Sequence, residues 1–320
     1  MERREFIRLL GGAAAGGWAF PASAQPRPRI SILHSGFPKR AAIDLLFEAL
    51  GKLGYGATDI DLLGAEGDPV RLKALVDQLG AQRPVVIIAI TSPAALALKE
   101  ARLKIPVVFA AVLDPVGLGI VESFSHPGGD FTGVTYGEAE IGGKQLELLI
   151  DAISGLTRAA VLWSASASGN AARLESIRNA AHTRGIEIFA RKLSGVEDLA
   201  SAFDDATRAK AQAAIFLTDN AIFGQRKLVA GLALTHSLPT IHSFRLAVED
   251  GGLMFYGPSV DEMLRRAAAL VDKILRGARP SELPVENPTR FELVINLETA
   301  KALGLTIPES FLLRADKLIE

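Results

Sequence analysis

Residues 85–112 read VVIIAITSPAALALKEARLKIPVVFAAV. Val85 to Ile90 is a run of nearly pure β-branched character, apolar on both faces, as a strand inside a parallel sheet must be. Ser92-Pro93 follows. A cap residue plus a proline with its φ already helical opens a helix that the spacing extends to Leu103. Val107 to Val112 is a second buried strand. Strand, helix and strand within about 30 residues make a βαβ unit.

The same unit repeats outward in both directions. Upstream, Ile30–His34 and Ile60–Leu63 read as strands, and Arg40–Leu53 and Asp68–Leu79 as helices, the first stopped by Gly54. Downstream, the extended, glycine-flanked FTGVTYG of residues 131–137 ends the first series, and a second begins. Helices are expected at Gly142–Ile153, Asn170–Arg184, Val196–Ala209 and Ala221–Leu234. Strands are expected at Ala159–Trp163, Ile186–Ala190, Ala213–Thr218 and Thr240–His242. The tail differs: strand Gly252–Tyr256, helix Val260–Leu275, strand Phe291–Asn296 and helix Leu297–Leu303. Two successive doubly wound halves follow from this pattern.

Composition narrows the function. A chain of 320 residues that is 49% hydrophobic supports a large core and two domains. The formal net charge of −1 argues against wholesale binding of nucleic acid. With no cysteine, disulfides, thiolate metal sites and thiol catalysis are excluded. Five scattered histidines offer no metal-binding spacing, and neither GxxxxGK, GxGxxG after the first strand, nor GxSxG occurs. Neither a cofactor nor an enzyme activity is therefore expected. At the N-terminus, Arg3-Arg4 precedes Phe6-Ile7-Arg8, a weakly apolar stretch Leu9–Phe20, and Ala22-Ser23-Ala24. This is the order of a twin-arginine export signal with a small-x-small cleavage site, so residues 1–24 are expected to be removed and the mature protein to lie in the periplasm.

Several stretches resemble the substrate-binding proteins of ABC transporters, in the tryptophan- and tyrosine-type uptake branch. They are Asp114-Pro115-Val116-Gly117 with residues 127–134 (PGGDFTGV), Gly251–Met254 with Tyr256-Gly257-Pro258, and Phe291–Asn296 with Ala302–Pro308. The resemblance covers the whole mature chain. It implies an α/β protein of the type I periplasmic-binding fold: two doubly wound parallel-sheet lobes joined by a three-stranded hinge. Lobe 1 would be residues 25–135 plus 251–286 and lobe 2 residues 136–250 plus 287–320, with crossings near Gly133–Gly137, Glu249–Tyr256 and Pro284–Ile295. It further implies a monomer that captures a small molecule and presents it to an inner-membrane ABC permease, with no nucleic-acid partner. A sensor input protein for a periplasmic receptor and an exported α/β enzyme are the alternatives.

Ligands of doubly wound sheets bind beyond the carboxyl ends of the strands. Here those ends carry Ser35-Gly36-Phe37, Thr91-Ser92, Ser164 to Asn170 with Ser166 between, and Asp219. Thr91 and Ser92 open a helix, where hydroxyls and N–H groups suit a carboxylate; Ser92 equally suits the helix cap. Asp114 and Asp219 suit a ligand ammonium, or a turn and a cap. Phe37, Tyr136, Phe244 and Tyr256 offer faces to a flat ligand, or pack the core and hinge. Arg245 suits an acidic ligand or the surface.

Overall fold

The computed structural model describes residues 29–36, 40–137, 140–164, 169–217 and 220–320. The export signal, Phe37, Ser166 and Asp219 lie outside these. The first sheet is built from β1 (Ile30–His34), β2 (Ile60–Gly64), β3 (Val86–Ile90), β4 (Val107–Val112) and β5 (Phe131–Thr135). All are parallel, in the order β2-β1-β3-β4-β5. Helices α1 (Arg40–Lys52), α2 (Pro69–Gln82) and α3 (Ser92–Glu100) alternate with them. The period of two is visible in the core. Val86, Ile88 and Ile90 face one apolar cluster with Val108 and Ala110, while Ile87 and Ala89 face another with Val107 and Phe109.

The second series gives α4 (Glu140–Ala152), β6 (Arg158–Ser164), α5 (Asn170–Arg184), β7 (Glu187–Leu193), α6 (Leu199–Arg208), β8 (Ala213–Phe216), α7 (Asn220–Gly224), α8 (Arg226–Thr235), β9 (Thr240–His242), α9 (Arg245–Glu249) and β10 (Met254–Pro258). After α10 (Val260–Leu275) come β11 (Phe291–Asn296), α11 (Leu297–Ala302), α12 (Glu309–Leu312) and β12 (Lys317–Ile319). The second sheet runs β12-β11-β10-β9-β8-β6-β7, parallel except where β10 meets β11. Each sheet is thus doubly wound, with its own apolar clusters on its two faces.

The expected boundary at residue 251 is corrected. Strand β10 pairs Met254 with Ile241 on one side and with Ile295 on the other, so residues 251–258 belong to the second sheet. Phe255 and Val294 close over Val248 there. The chain returns to the first lobe only after Ser259, through α10, and Glu249–Tyr256 is not a crossing. α10 repeats apolar residues at helical spacing, Met263, Leu264, Ala267, Leu270, Val271 and Ile274, and these fill the first lobe's core beside α1. The chain passes between the sheets after β5, at Ser259 and at residues 287–290. The segments there are laced together: Thr135 N–H donates to the Glu286 carbonyl, Glu286 N–H to that of Gly133, and Ser259 N–H to that of Arg290. Arg266 on α10 pairs with Glu286 at 2.5 Å.

Smaller departures have local causes. α3 stops at Glu100 instead of Leu103 because Arg102 takes the left-handed region, φ 53°. The helix expected over Ala221–Leu234 is broken at Gln225 into α7 and α8. Strand β5, read as a joining segment, is the edge of the first sheet.

Candidate functional site

The carboxyl ends of the two sheets face one another. Tyr136, directly after β5, places its ring 5.7 Å from that of Phe244 after β9, and its hydroxyl donates to the Ser243 carbonyl. Asp114, after β4, lies opposite Gly169, where an added Cβ would stand 3.9 Å from Asp114 Cβ. Phe223 of α7 extends the aromatic cluster, 4.7 Å from Phe244. A cavity behind Phe244, lined by Phe216, Ile222 and His242, measures about 20 Å³. That is room for a single water. A larger groove of about 520 Å³, near Val85, Pro106 and Arg279, lies at the opposite, amino ends of the first sheet.

On the first lobe, Ser35 is buried and its hydroxyl lies 2.6 Å from that of Thr91, joining the ends of β1 and β3. Gly36 N–H donates to His34 Nδ1 at 2.9 Å. Burial lowers the His34 pKa to about 4, so this imidazole is neutral and able to accept. Thr91, not Ser92, is the N-cap of α3, with φ 84° and ψ 157°. That region is essentially reserved for glycine, and a β-branched residue there is strained. Ser92 is the first helical residue; its hydroxyl accepts from Leu113 N–H at 2.9 Å, which ties α3 to the end of β4. Asp114 is exposed, with φ 45°, and its Oδ1 accepts from Gly117 N–H at 2.8 Å. The turn role is therefore the one it fills in this state. Between them, Ala111 at φ 58° forms a bulge that shifts the β4–β5 register and lets Tyr136 N–H reach the Val112 carbonyl. Three residues with positive φ, Thr91, Ala111 and Asp114, thus gather at two adjacent strand ends.

On the second lobe, Ser164 and Asn170 are buried, and Asn170 Nδ2 donates to the Ser164 carbonyl at 3.0 Å, joining β6 to α5. Arg173, one turn on, is only 2% exposed and holds its guanidinium 5.7 Å from the Tyr136 ring centre. The Tyr136 hydroxyl is buried with it, which raises its pKa. Two expected contacts fall elsewhere. Tyr256 stacks on Phe291, centroids 5.8 Å apart, and packs with the α4–α5 side of the second core; a ring in mid-strand points to a sheet face and not to a strand end. Arg245 pairs with Glu249 at 3.2 Å and Glu292 at 3.5 Å within its own lobe.

The sequence reading missed Arg173 and Gln145. The signal was present for the first: Asn170, Arg173, Leu174, Ile177 and Ala181 are the buried stripe of α5, and a charge on such a stripe is out of place. Gln145, fully buried on α4, donates to the Tyr256 carbonyl at 2.9 Å and so ties α4 to β10. Among the described residues, no group of acidic, histidine or cysteine side chains could hold a metal ion, and no helix is long and apolar enough to cross a membrane.

Comparison with known proteins agrees with this geometry. A tyrosine-binding protein of Clostridioides difficile is 26% identical over 262 residues, 81% of this chain and 75% of the relative. The crystal structure of a Streptococcus pneumoniae ABC domain in complex with L-Trp superposes with a TM-score of 0.82 at 27% identity, over 92% of this chain and all of the other. The ligand-free, open structure of a C. difficile substrate-binding protein with adhesive properties shares the fold, with a TM-score of 0.70 at 23% identity, over 91% of this chain and 99% of the other. These are type I periplasmic-binding folds, and their relatives bind substrates without transforming them. The family model for ABC transporter substrate-binding proteins matches residues 33–319, and with two facing doubly wound lobes around a polar and aromatic cleft the chain belongs to that family.

Proposed function

We propose that this protein captures a small carboxylate-bearing ligand, an amino acid or an aromatic acid, between its two lobes in the periplasm, and that the closed form delivers it to an inner-membrane ABC permease. Thr91 is the observation that carries the reading. Its strained backbone sets a hydroxyl, paired with that of Ser35, at the start of α3 and at the carboxyl end of β3. A helix start favours a carboxylate by about 0.3–1 kcal/mol, more where partly buried. Pro93 removes one N–H donor from that turn, so hydroxyls supply part of the site. The relative named for tyrosine and the structure holding L-Trp support an amino acid or its aromatic kin. Phe244, partly exposed and braced by the buried Tyr136, supplies a ring face for the rest of the ligand. Closure is then a shift toward the state in which both lobes touch the ligand. The protein acts as a monomer.

Calorimetric titration of L-tryptophan, L-tyrosine and their methyl esters tests this. The acids should bind and the esters should bind more weakly. Thr91→Val keeps volume and removes the hydroxyl, and should weaken the acids roughly ten- to a hundredfold, as loss of a hydrogen bond to a charged group does. Equal binding of acid and ester, with Thr91→Val unchanged, would sink the carboxylate assignment.

A further inference from the structure

Tyr136 has its backbone in one lobe and spends its side chain on the other. Its N–H donates to the Val112 carbonyl at 2.9 Å, which fixes the residue to the end of β4 in the first sheet. Its side chain also belongs to the first lobe's apolar cluster, the one that α10 fills. Three groups of the second lobe meet that side chain. The Ser243 carbonyl, beyond β9, accepts from its hydroxyl. The Phe244 ring lies 5.7 Å from its own, and the Arg173 guanidinium of α5 stands 5.7 Å from its ring centre. Ser243 is a firm anchor: it is buried, and its hydroxyl donates to the Phe216 carbonyl at the end of β8 at 3.2 Å.

Two simpler roles do not account for this. A ring that is 2% exposed offers no face to a ligand. Core filling needs no hydroxyl, because phenylalanine would occupy the same space without desolvating a polar group. What the hydroxyl adds is a bond between lobes. A hinge rotation that carries Ser243 away from β5 breaks that bond and uncovers the Tyr136 and Phe244 rings together. The lobes also approach closely at a second place, where an added Cβ on Gly169 would stand 3.9 Å from Asp114 Cβ.

Resting on closure of the two lobes as read above, and not on the identity of the ligand, we infer that Tyr136 is a positioning residue, an interlobe latch that favours the closed arrangement before a ligand arrives. The apparent dissociation constant is the intrinsic one divided by the fraction of molecules already closed. The latch therefore strengthens binding by one factor common to every ligand, although Tyr136 touches none of them.

Closure can be read without a ligand. The chain has no cysteine, and 3.9 Å between the Cβ positions of residues 114 and 169 falls within the roughly 3.5–4.5 Å that a disulfide spans. Asp114→Cys combined with Gly169→Cys should form that bond, under a fixed oxidant, at a rate proportional to the closed fraction. Adding Tyr136→Phe should slow the reaction about three- to tenfold, the effect of one neutral hydrogen bond. Small-angle scattering of Tyr136→Phe without the cysteines should give a larger radius of gyration than the wild type, and this measurement decides alone if the cysteine pair does not react. Calorimetry should show L-tryptophan and L-tyrosine both weakened by the factor that slows cross-linking. An unchanged rate and radius in Tyr136→Phe would make Tyr136 a core residue and overturn the inference. Weakening of one amino acid and not the other also overturns it, because that pattern marks a ligand contact. If neither amino acid binds while cross-linking still slows, the latch stands and the ligand reading fails.

Discussion

The two lobes present their strand ends in different ways. The first gathers its unusual features in the backbone: Thr91, Ala111 and Asp114 all have positive φ, and the polar side chains there are the hydroxyls of Ser35, Thr91 and Ser92 and the Asp114 carboxylate, which caps its own turn. Among the described residues, the second has no non-glycine residue with positive φ near Arg173 and Phe244 and puts its unusual features in side chains, a buried cation and an aromatic cluster. Strained backbone fixes donors to within a fraction of an ångström but allows little change of ligand chemistry. A side chain can be exchanged in one mutational step. The two lobes thus fix their strand-end groups by different means, the first by backbone conformation and the second by side-chain packing.

The largest expected effect bears on the rigid scaffold of each lobe. A Cβ on Gly133 of β5 would lie 2.1 Å from the Phe109 carbonyl oxygen, whereas one on Gly142 of α4 would lie 2.7 Å from that of Arg173. Gly133→Ala should cost more than about 3 kcal/mol, because two hydrogen-bonded strands cannot separate locally. Gly142→Ala should cost about 1–2 kcal/mol, because two packed helices can slide apart. Urea unfolding of both variants measures this, and the reverse order would show that the first lobe is the softer one.

Acid treats the lobes alike, which sharpens the contrast. Each carries a buried histidine at a strand end, His34 after Leu33 in β1 and His242 in β9, with pKa lowered to about 4 by desolvation. The unfolded chain binds a proton near pH 6.5, so each contributes stability that is fully present above that pH and is lost as the pH falls toward 4. The loss should be on the order of 2–3 kcal/mol per histidine. Only His34 accepts from a loop at the proposed carboxylate site, through Gly36 N–H. Ligand binding should thus fail at higher pH than global unfolding in the wild type, and the two midpoints should coincide if that loop plays no part.

Strain relief gives a smaller and opposite effect. Thr91→Gly should stabilise the unliganded protein by about 1 kcal/mol, the strain released exceeding the entropy glycine adds, and should weaken binding of the acids. A variant that is less stable would show that the Thr91–Ser35 contact outweighs the strain. The smallest effect is expected between the lobes, where the half-exposed Arg266–Glu286 pair ties α10 to a crossing segment. Glu286→Gln should lower the melting free energy by no more than about 1 kcal/mol.

Much of this was legible in the sequence, for physical reasons that differ by region. Buried parallel strands are short apolar runs and their helices are amphipathic, so both sheets could be read from periodicity. The sheet to which β10 belongs could not, because an apolar run such as Leu253–Phe255 records burial and not its neighbour. Strand β12 was missed because Lys317 and Leu318 at an exposed edge lack that apolar signature. The position of Thr91 at the end of β3 and the start of α3 follows from strand-end logic alone. Tyr256 misled because its position along β10, and not its ring, decides what it faces. Arg173 was passed over because an arginine in a helix is ordinarily a solvated surface residue, and only its register with Leu174 and Ile177 shows otherwise.

The late return of the chain through α10 bears on how the molecule is made. Met263, Leu264, Leu270 and Val271 seal one face of a sheet whose strands were all synthesised before residue 136. A nascent chain ending at residue 258 would hold the complete first sheet with that face still open to water. Closing it requires contacts across more than 100 residues of intervening sequence, between Ile32 or Val108 and α10. Such a high contact order slows folding, and it makes completion of the first lobe a late event, after strands β6 to β10 of the second sheet have been synthesised and before β11 and β12.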